Sequence, residues 1–264
     1  MANNSFTANW TTAGVSNYSL DVTVDVPSIV SEPTTFISKD FTASLDDWTI
    51  NNVSGYSSVW THSTKYGAYA TSYIKEGDTY TRYATESWLM SPSIDLTNAT
   101  AATLNMNHVF RYASTQYLMI STDGGSSWTQ LSPAVWPAGN NWTFVDSEVD
   151  LTSYLGETIQ IGFKYVGTTE ACATWEIKTF SISGTANVST ITHQSIDGYP
   201  KNVTGTSASV TGLTAGTSYH YTVTPTGGSV SNEIDVTTTN AACTVTITAT
   251  SDDDSKGTVE ITLP

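Results

Sequence analysis

Apolar and polar residues alternate with a period of two along much of the chain. In residues 17–26, NYSLDVTVDV, Tyr18, Leu20, Val22 and Val24 share one face, and Ser19, Asp21, Thr23 and Asp25 share the other. This is the pattern of a half-buried antiparallel strand. Residues 5–12, SFTANWTT, alternate as well and end at an Ala13-Gly14 turn, with Trp10 as a core candidate. Two strands do not make a stable domain, so their partners must come from elsewhere in the chain. The stretch Tyr117–Leu131, YLMISTDGGSSWTQL, predicts two strands joined by a tight hairpin turn. Asp123-Gly124-Gly125 supplies the positive φ positions such a turn requires. No stretch of about ten residues or more carries convincing period-3.6 apolar spacing, so helices are not expected.

The organisation changes along the chain. Pro27 to Pro33, PSIVSEP, reads as a linker. From Phe36 onward, strand signals recur around Trp60, Tyr66–Tyr73, Tyr80–Tyr83, Ser87–Met90, Ala102–Tyr112, the 117–131 segment, Trp142–Val149, Ile159–Val166 and Thr174–Ile182. About seven strands or more with short connections imply a two-sheet sandwich. Plain Thr/Ser/Val alternation returns at 185–192, followed by strands at Ser207–Val210, Ser218–Thr224 and Glu233–Thr238. The last stretch, Cys243–Leu263, reads as a hairpin around the acidic turn Asp252-Asp253-Asp254.

Composition narrows the function. The formal charge is −15, from 24 acidic and 9 basic residues. Such a surface disfavours nucleic-acid binding and anionic membranes, and suits an extracellular or calcium-rich setting. Abundant Thr, Ser, Asn, Tyr and Trp suit strands and polar turns rather than helices. No signal peptide or membrane-spanning run is present. Met1-Ala2-Asn3 reads as a start placed within a longer protein. The two cysteines, Cys172 and Cys243, could pair or remain separate buried thiols. Asn-x-Ser/Thr sequons, as at Asn17 and Asn98, arise by chance in so Asn- and Thr-rich a chain and are not read as glycosylation.

Two stretches carry family resemblances. Leu213-Thr214-Ala215-Gly216-Thr217-Ser218-Tyr219, followed by His220-Tyr221-Thr222-Val223, resembles the tyrosine corner of fibronectin type III domains. There the Tyr hydroxyl bonds back to upstream backbone. With SFTANWTT and NYSLDVTV as early strands, the inference is one immunoglobulin-like (fibronectin III-like) β-sandwich split by an insertion, which exposed loops tolerate. The inserted part is similar to the choice-of-anchor J and cleaved-adhesin group, jelly-roll domains of secreted Bacteroidetes proteins. The matching residues are Asp40-Phe41 with Trp48, Ser87-Trp88-Leu89-Met90-Ser91-Pro92, Asp123-Gly124-Gly125 with Trp128, Ile161-Gly162-Phe163-Lys164-Tyr165 and Thr174-Trp175-Glu176-Ile177-Lys178. The expected fold is therefore all-β. A fibronectin III-like domain in two parts (1–32 and 185–240) flanks an antiparallel jelly-roll domain (33–184), with a further hairpin at 241–264.

The resemblance implies a non-catalytic adhesion or ligand-binding module of a larger secreted or cell-surface protein, with further domains in the parent chain. The alternative is a structural spacer that positions a catalytic domain outside this sequence. The family often carries a structural calcium near its first and last strands. The positions implied here are Asp40, Asp46 and Asp47, although Lys178 and Thr179 stand where the family often has carboxylates. No G-x-S-x-G elbow or H-E-x-x-H motif occurs, and paired carboxylates such as Asp46-Asp47 match no glycosidase motif. His108 is expected to be a satisfied structural histidine and His220 to face solvent. Exposed aromatics beside amides suit a sugar ring, so polysaccharide or a host or cell-surface glycoprotein is the expected partner. Trp136, as the best exposed loop aromatic, Trp142, Asn140 and Tyr66 are the candidate ligand-binding residues. Trp60, Trp88, Trp128 and Trp175 are expected in the core.

Overall fold

The computed structural model describes residues 4–112 and 115–240. The expected 241–264 hairpin, with its acidic turn and Cys243, lies outside the described residues. The fold is all-β. Antiparallel sheets form β-sandwich architecture, interrupted among the described residues by a short 3-10 turn at Thr152–Tyr154. Among the described residues, no helix is long and apolar enough to cross a membrane.

The chain divides into two compact units, Met1–Ser28 with Ile191–Pro264, and Ile29–Thr190. It passes between them within the strands Asn17–Asp40 and Thr174–Ser195. The 27–33 segment, expected as a linker, is instead continuous strand. Its two prolines, Pro27 and Pro33, are exposed and lie beyond the pairing with Ser218–Pro225, which ends at Val24, so their missing N–H groups take no ladder bond from that strand.

In the first unit, Ser5–Asn9 pairs with Ser207–Thr211, in register from Ser5↔Thr211 to Asn9↔Ser207. The Asn17–Asp40 strand pairs with Ser218–Pro225 and with Lys201–Thr204, and Ser218–Pro225 pairs in turn with Ile234–Thr237. Period-two alternation drives Tyr18, Leu20 and Val22 inward against Phe6, Val210, Tyr219, Tyr221 and Val223. The backbone N–H of Thr214 donates to the Tyr219 hydroxyl at 2.9 Å, which ties the turn to the strand after it.

In the second unit, one sheet runs Thr129–Leu131, Thr115–Ser121, Thr158–Gly167, Thr85–Met90 and Thr49–Gly55. The other takes Val145–Asp150, Ala99–Arg111 and Thr174–Ser195, then Gly67–Thr71 and Trp60–Ser63. The core between them is aromatic. Trp48 stacks on Phe163 with centroids 5.2 Å apart, and Phe163 meets Trp175 edge-on at 5.7 Å. Fully burying each such side chain contributes roughly 2–3 kcal/mol before the entropy of ordering is set against it.

Two expectations about this unit need correction. The 117–131 segment is not a two-residue hairpin. Its pairing ends at Ile120↔Thr129, so a wide loop intervenes. Gly124 and Gly125 do take positive φ, of 69° and 89°. Asp123 organises that loop: its carboxylate accepts from the Ser127 N–H at 2.8 Å, the Ser127 hydroxyl at 2.6 Å and the Ser121 hydroxyl at 2.7 Å. The Ser127 bonds, then that from Ser121, hold its pKa down at about 2.

Nor is Trp128 a core residue: it is half-buried, whereas Trp88 is buried as expected. They pack against each other at 5.1 Å, outside the aromatic core that holds Trp60 and Trp175. A Cβ on Gly162 would lie 3.0 Å from both indoles, so glycine is what lets the rings approach the strand. The Trp88 motif, Asp123-Gly124-Gly125 with Trp128, and Ile161-Gly162-Phe163, scattered in sequence, therefore form one structural feature.

Candidate functional site

Outside the core, Tyr66, Tyr69, Tyr73, Trp142 and Phe144 of the second unit line a groove of about 530 Å³ together with the polar set Lys65, Thr174, Glu176 and Lys178. Strand alternation builds its floor. Trp175 and Ile177 fill the core, so Thr174, Glu176 and Lys178 take the opposite face. Glu176 is the direct cross-strand partner of Tyr69, whose strand neighbours Ala68 and Ala70 are buried. Tyr66 precedes the Gly67 turn, where φ is 81° and a side chain would collide with the Ile177 carbonyl. The Tyr73 hydroxyl is 3.1 Å from the Thr174 hydroxyl.

Charge is placed among the rings. The Lys178 ammonium lies 4.2 Å from the Phe144 centroid, and the Lys65 ammonium 5.0 Å from that of Tyr66. Burial raises the Glu176 carboxyl to about 7, against the pull of Lys178 and Lys65. Near neutral pH this group is both a donor and an acceptor. Burial, reinforced by Tyr73, likewise pushes the Tyr69 phenol up to about 12, so its hydroxyl keeps its proton. A second groove of about 460 Å³ shares Tyr73 and adds Tyr80, Arg82, Tyr112 and Glu170. Tyr112 meets Trp142 edge-on at 6.0 Å, and the Arg111 guanidinium lies 5.6 Å from Trp142.

Of the residues expected to bind ligand, the structure brings Tyr66 and Trp142 into this groove and leaves the others out. Trp136 is not an exposed loop aromatic. It is partly buried, 4.6 Å from His108 and 6.1 Å from Trp175. The physical reason is the anchoring of its loop: Gly139 bridges to Arg111, and the Tyr112 N–H donates to the Gly139 carbonyl. Trp136 is thereby held inward, while Trp142 remains 42% exposed. Asn140 is exposed outside the groove, its Oδ1 accepting from the Asn141 amide. Sequence reasoning missed Tyr112, Phe144 and Lys65, saw Glu176 only as part of a motif, and saw Lys178 as part of that motif and as a charge opposing calcium. The alternation in Thr174-Trp175-Glu176-Ile177-Lys178 was the signal that could have placed the last two.

The three aspartates expected to hold calcium are not gathered into a ligand set. Asp40 accepts from the Thr42 N–H and hydroxyl at 2.8 and 2.7 Å, and these bonds lower its pKa. The Lys39 ammonium donates to the Asp46 backbone carbonyl at 2.7 Å. Asp47 occupies a turn with φ of 70°. Among the described residues, the groups of three or more side chains able to share an ion are Asp25, His193 and His220, and His220, Glu233 and Asp235. Both lie in the first unit. His220 is therefore not a solvent-facing histidine. Its side chain is only 12% exposed. His108 is fully buried between Trp175 and Ser147 and has its pKa pulled down to about 3 by burial. Cys172 is a buried thiol, 3.0 Å from the Ser72 hydroxyl.

No family model matches the chain, and a search of curated proteins finds no match. Solved structures are similar over part of it. The K3 cleaved adhesin domain of Lys-gingipain from Porphyromonas gingivalis aligns over 58% of this chain and 100% of its own length, at 18% identity and a TM-score of 0.42. The K2 cleaved adhesin domain of Lys-gingipain covers 58% of this chain and 98% of its own, at 15% identity and a TM-score of 0.30. The glycoside hydrolase domain of Endo-D from Streptococcus pneumoniae covers 88% of this chain and 43% of its own, at 11% identity and a TM-score of 0.29.

Proposed function

We propose that the Ile29–Thr190 unit is a non-catalytic binding module that takes a saccharide chain along its aromatic groove, within a larger secreted or cell-surface protein. The observation that carries this reading is the groove itself. Tyr66, Tyr69, Tyr73 and Trp142 surround Glu176, Lys178, Lys65 and Thr174. Rigid rings offer flat apolar area to the C–H faces of a pyranose at little entropic loss, and the interleaved polar groups can meet its hydroxyls. Glu176 is the one carboxylate among the lining residues, whereas glycoside hydrolysis uses a pair across the scissile bond, so binding fits the groove better than cleavage. We read the surrounding unit as a split fibronectin III-like domain, a reading supported by the Thr214–Tyr219 bond.

Affinity electrophoresis against soluble polysaccharides and a glycan array test the proposal. Retention by the intact protein, lost in Trp142→Ala and Tyr66→Ala and kept in Trp136→Phe, is the expected result. No retention on any polysaccharide would overturn it and favour a spacer role.

A further inference from the structure

A second site lies in the other unit, where no motif marks it. His193 and His220 are 27 positions apart in the sequence (220 − 193), yet their imidazoles stack with centroids 4.1 Å apart and planes within 8°. Three carboxylates surround the pair. Asp25 Oδ1 lies 2.7 Å from Nε2 of His220 and 3.4 Å from Nε2 of His193. On the other side of the rings, Glu233 Oε2 lies 2.9 Å from Nδ1 of His193, and Asp235 Oδ1 lies 2.8 Å from Nδ1 of His220. The sheet delivers this arrangement: His220 is directly opposite Asp235 on one neighbouring strand and opposite Thr23 on the other. Asp25, two residues beyond Thr23, falls on the same face.

We propose that this cluster is a binding site for a divalent transition-metal ion of the zinc class, with Nε2 of His193, Nε2 of His220 and the Asp25 carboxylate as ligands. Bonds of about 2.0–2.1 Å to zinc set ligand atoms about 3.3 Å apart in a tetrahedron; the 3.4 Å between Asp25 and His193 already matches, and the 2.7 Å between Asp25 and His220 has to open by about 0.6 Å. Glu233 and Asp235 act as positioning residues. By accepting from the Nδ1–H groups they fix the tautomer that turns both Nε2 lone pairs toward Asp25, the carboxylate–histidine arrangement typical behind metal-bound imidazoles. Two lone pairs facing a carboxylate oxygen repel one another unless a cation or proton lies between them. A dication supplies that charge, and the three carboxylates neutralise it with one negative charge over. Imidazole nitrogen beside carboxylate suits zinc, nickel or copper, whereas calcium takes oxygen ligands. Three protein ligands leave a position open for water or a partner's side chain. Thr23 Oγ1, across from His220, is buried without a hydrogen-bond partner and remains as an unused polar atom on this face.

The test is titration of zinc chloride into the whole, chelator-stripped protein by calorimetry, with cobalt(II) absorption as the report on nitrogen and oxygen ligation. One ion per chain should bind. His193→Ala and His220→Gln should each weaken it by at least about tenfold, and Glu233→Gln by about tenfold while leaving the cobalt spectrum's form intact. His62→Ala, in the other unit, should change nothing. His193→Ala decides the matter should His220→Gln fail to fold, because the His193 side chain is 36% exposed. No saturable binding, or binding undiminished in the His193 variant, would overturn the proposal.

Discussion

His108 and Glu176 make opposed contributions to acid stability, and a single substitution should separate them. The indole N–H of Trp175 donates to His108 Nδ1 at 3.1 Å. The ring proton therefore sits on Nε2, donated to the Ser147 hydroxyl at 2.8 Å, which passes its own to the Val135 carbonyl at 2.6 Å. A second proton would have to point at the indole N–H. With burial, this keeps the native imidazole neutral down to a pKa of about 3, against an ordinary 6.5. Between those values the unfolded chain binds a proton that the native chain does not, so each pH unit of acidification removes about 1.4 kcal/mol. Glu176 works the other way. Its native pKa is about 7 against an ordinary 4.5, so between those values the native chain holds the extra proton. Acidification through that window stabilises the fold by up to about the same slope. From pH 6.5 to 4.5 the two terms offset each other, and the protein's stability should be nearly flat. Glu176→Gln leaves His108 unopposed, and stability should then fall by about 2–3 kcal/mol across the window. Glu176→Gln/His108→Gln should be flat again from a lower start, because the Trp175 N–H loses its acceptor, worth about 1–3 kcal/mol. Urea unfolding at several pH values, followed by tryptophan emission, reads this unit directly: of all the tryptophans, only Trp10 lies outside it. A Glu176→Gln profile parallel to that of the parent protein would refute the reasoning.

Gly162→Ala should destabilise the second unit by about 1–3 kcal/mol, because the new methyl meets Trp88 and Trp128 at 3.0 Å and neither indole can move without losing the other. Thermal unfolding by near-ultraviolet dichroism checks it, and an unchanged midpoint would show the ring pair to be looser than its geometry. Trp136→Ala should lower stability by about 2–4 kcal/mol by emptying the space beside His108 and Trp175, whereas Trp142→Ala should stay within about 1 kcal/mol of the parent. Comparing the two melting curves separates packing from surface, and equal losses would contradict the difference in burial.

What could be read in the sequence follows from the range of the physics involved. Period-two alternation is local, so it disclosed the strand character, the inward set Tyr18, Leu20 and Val22, and the sandwich class without reference to anything distant. The turn at Asp123 was visible as glycines but not in its width, because that depends on Ser121 and Ser127 closing on one carboxylate. Aromatics posed the harder problem. Alternation says which residues share a face but not which face is inside, and so Trp128 was placed in the core and Trp136 at the surface. The deciding facts were a missing Cβ at Gly162 and a backbone bridge at Gly139, each a contact between residues far apart in the chain. The paired histidines are the extreme case. Short-range ligand spacing is the only metal signal a sequence carries, and it exists where one helix or loop supplies several ligands. In a sheet, ligands come one per strand, and their separation in sequence records loop lengths rather than chemistry. Asp25, His193, His220 and Asp235 come from four strands, so strand pairing alone could bring them together. Sites of this kind in all-β chains are therefore found through register: once His220↔Asp235 and His220↔Thr23 are known, the pleat sets Asp235 and Asp25 beside His220, and the strand that carries His193 has then only to be placed.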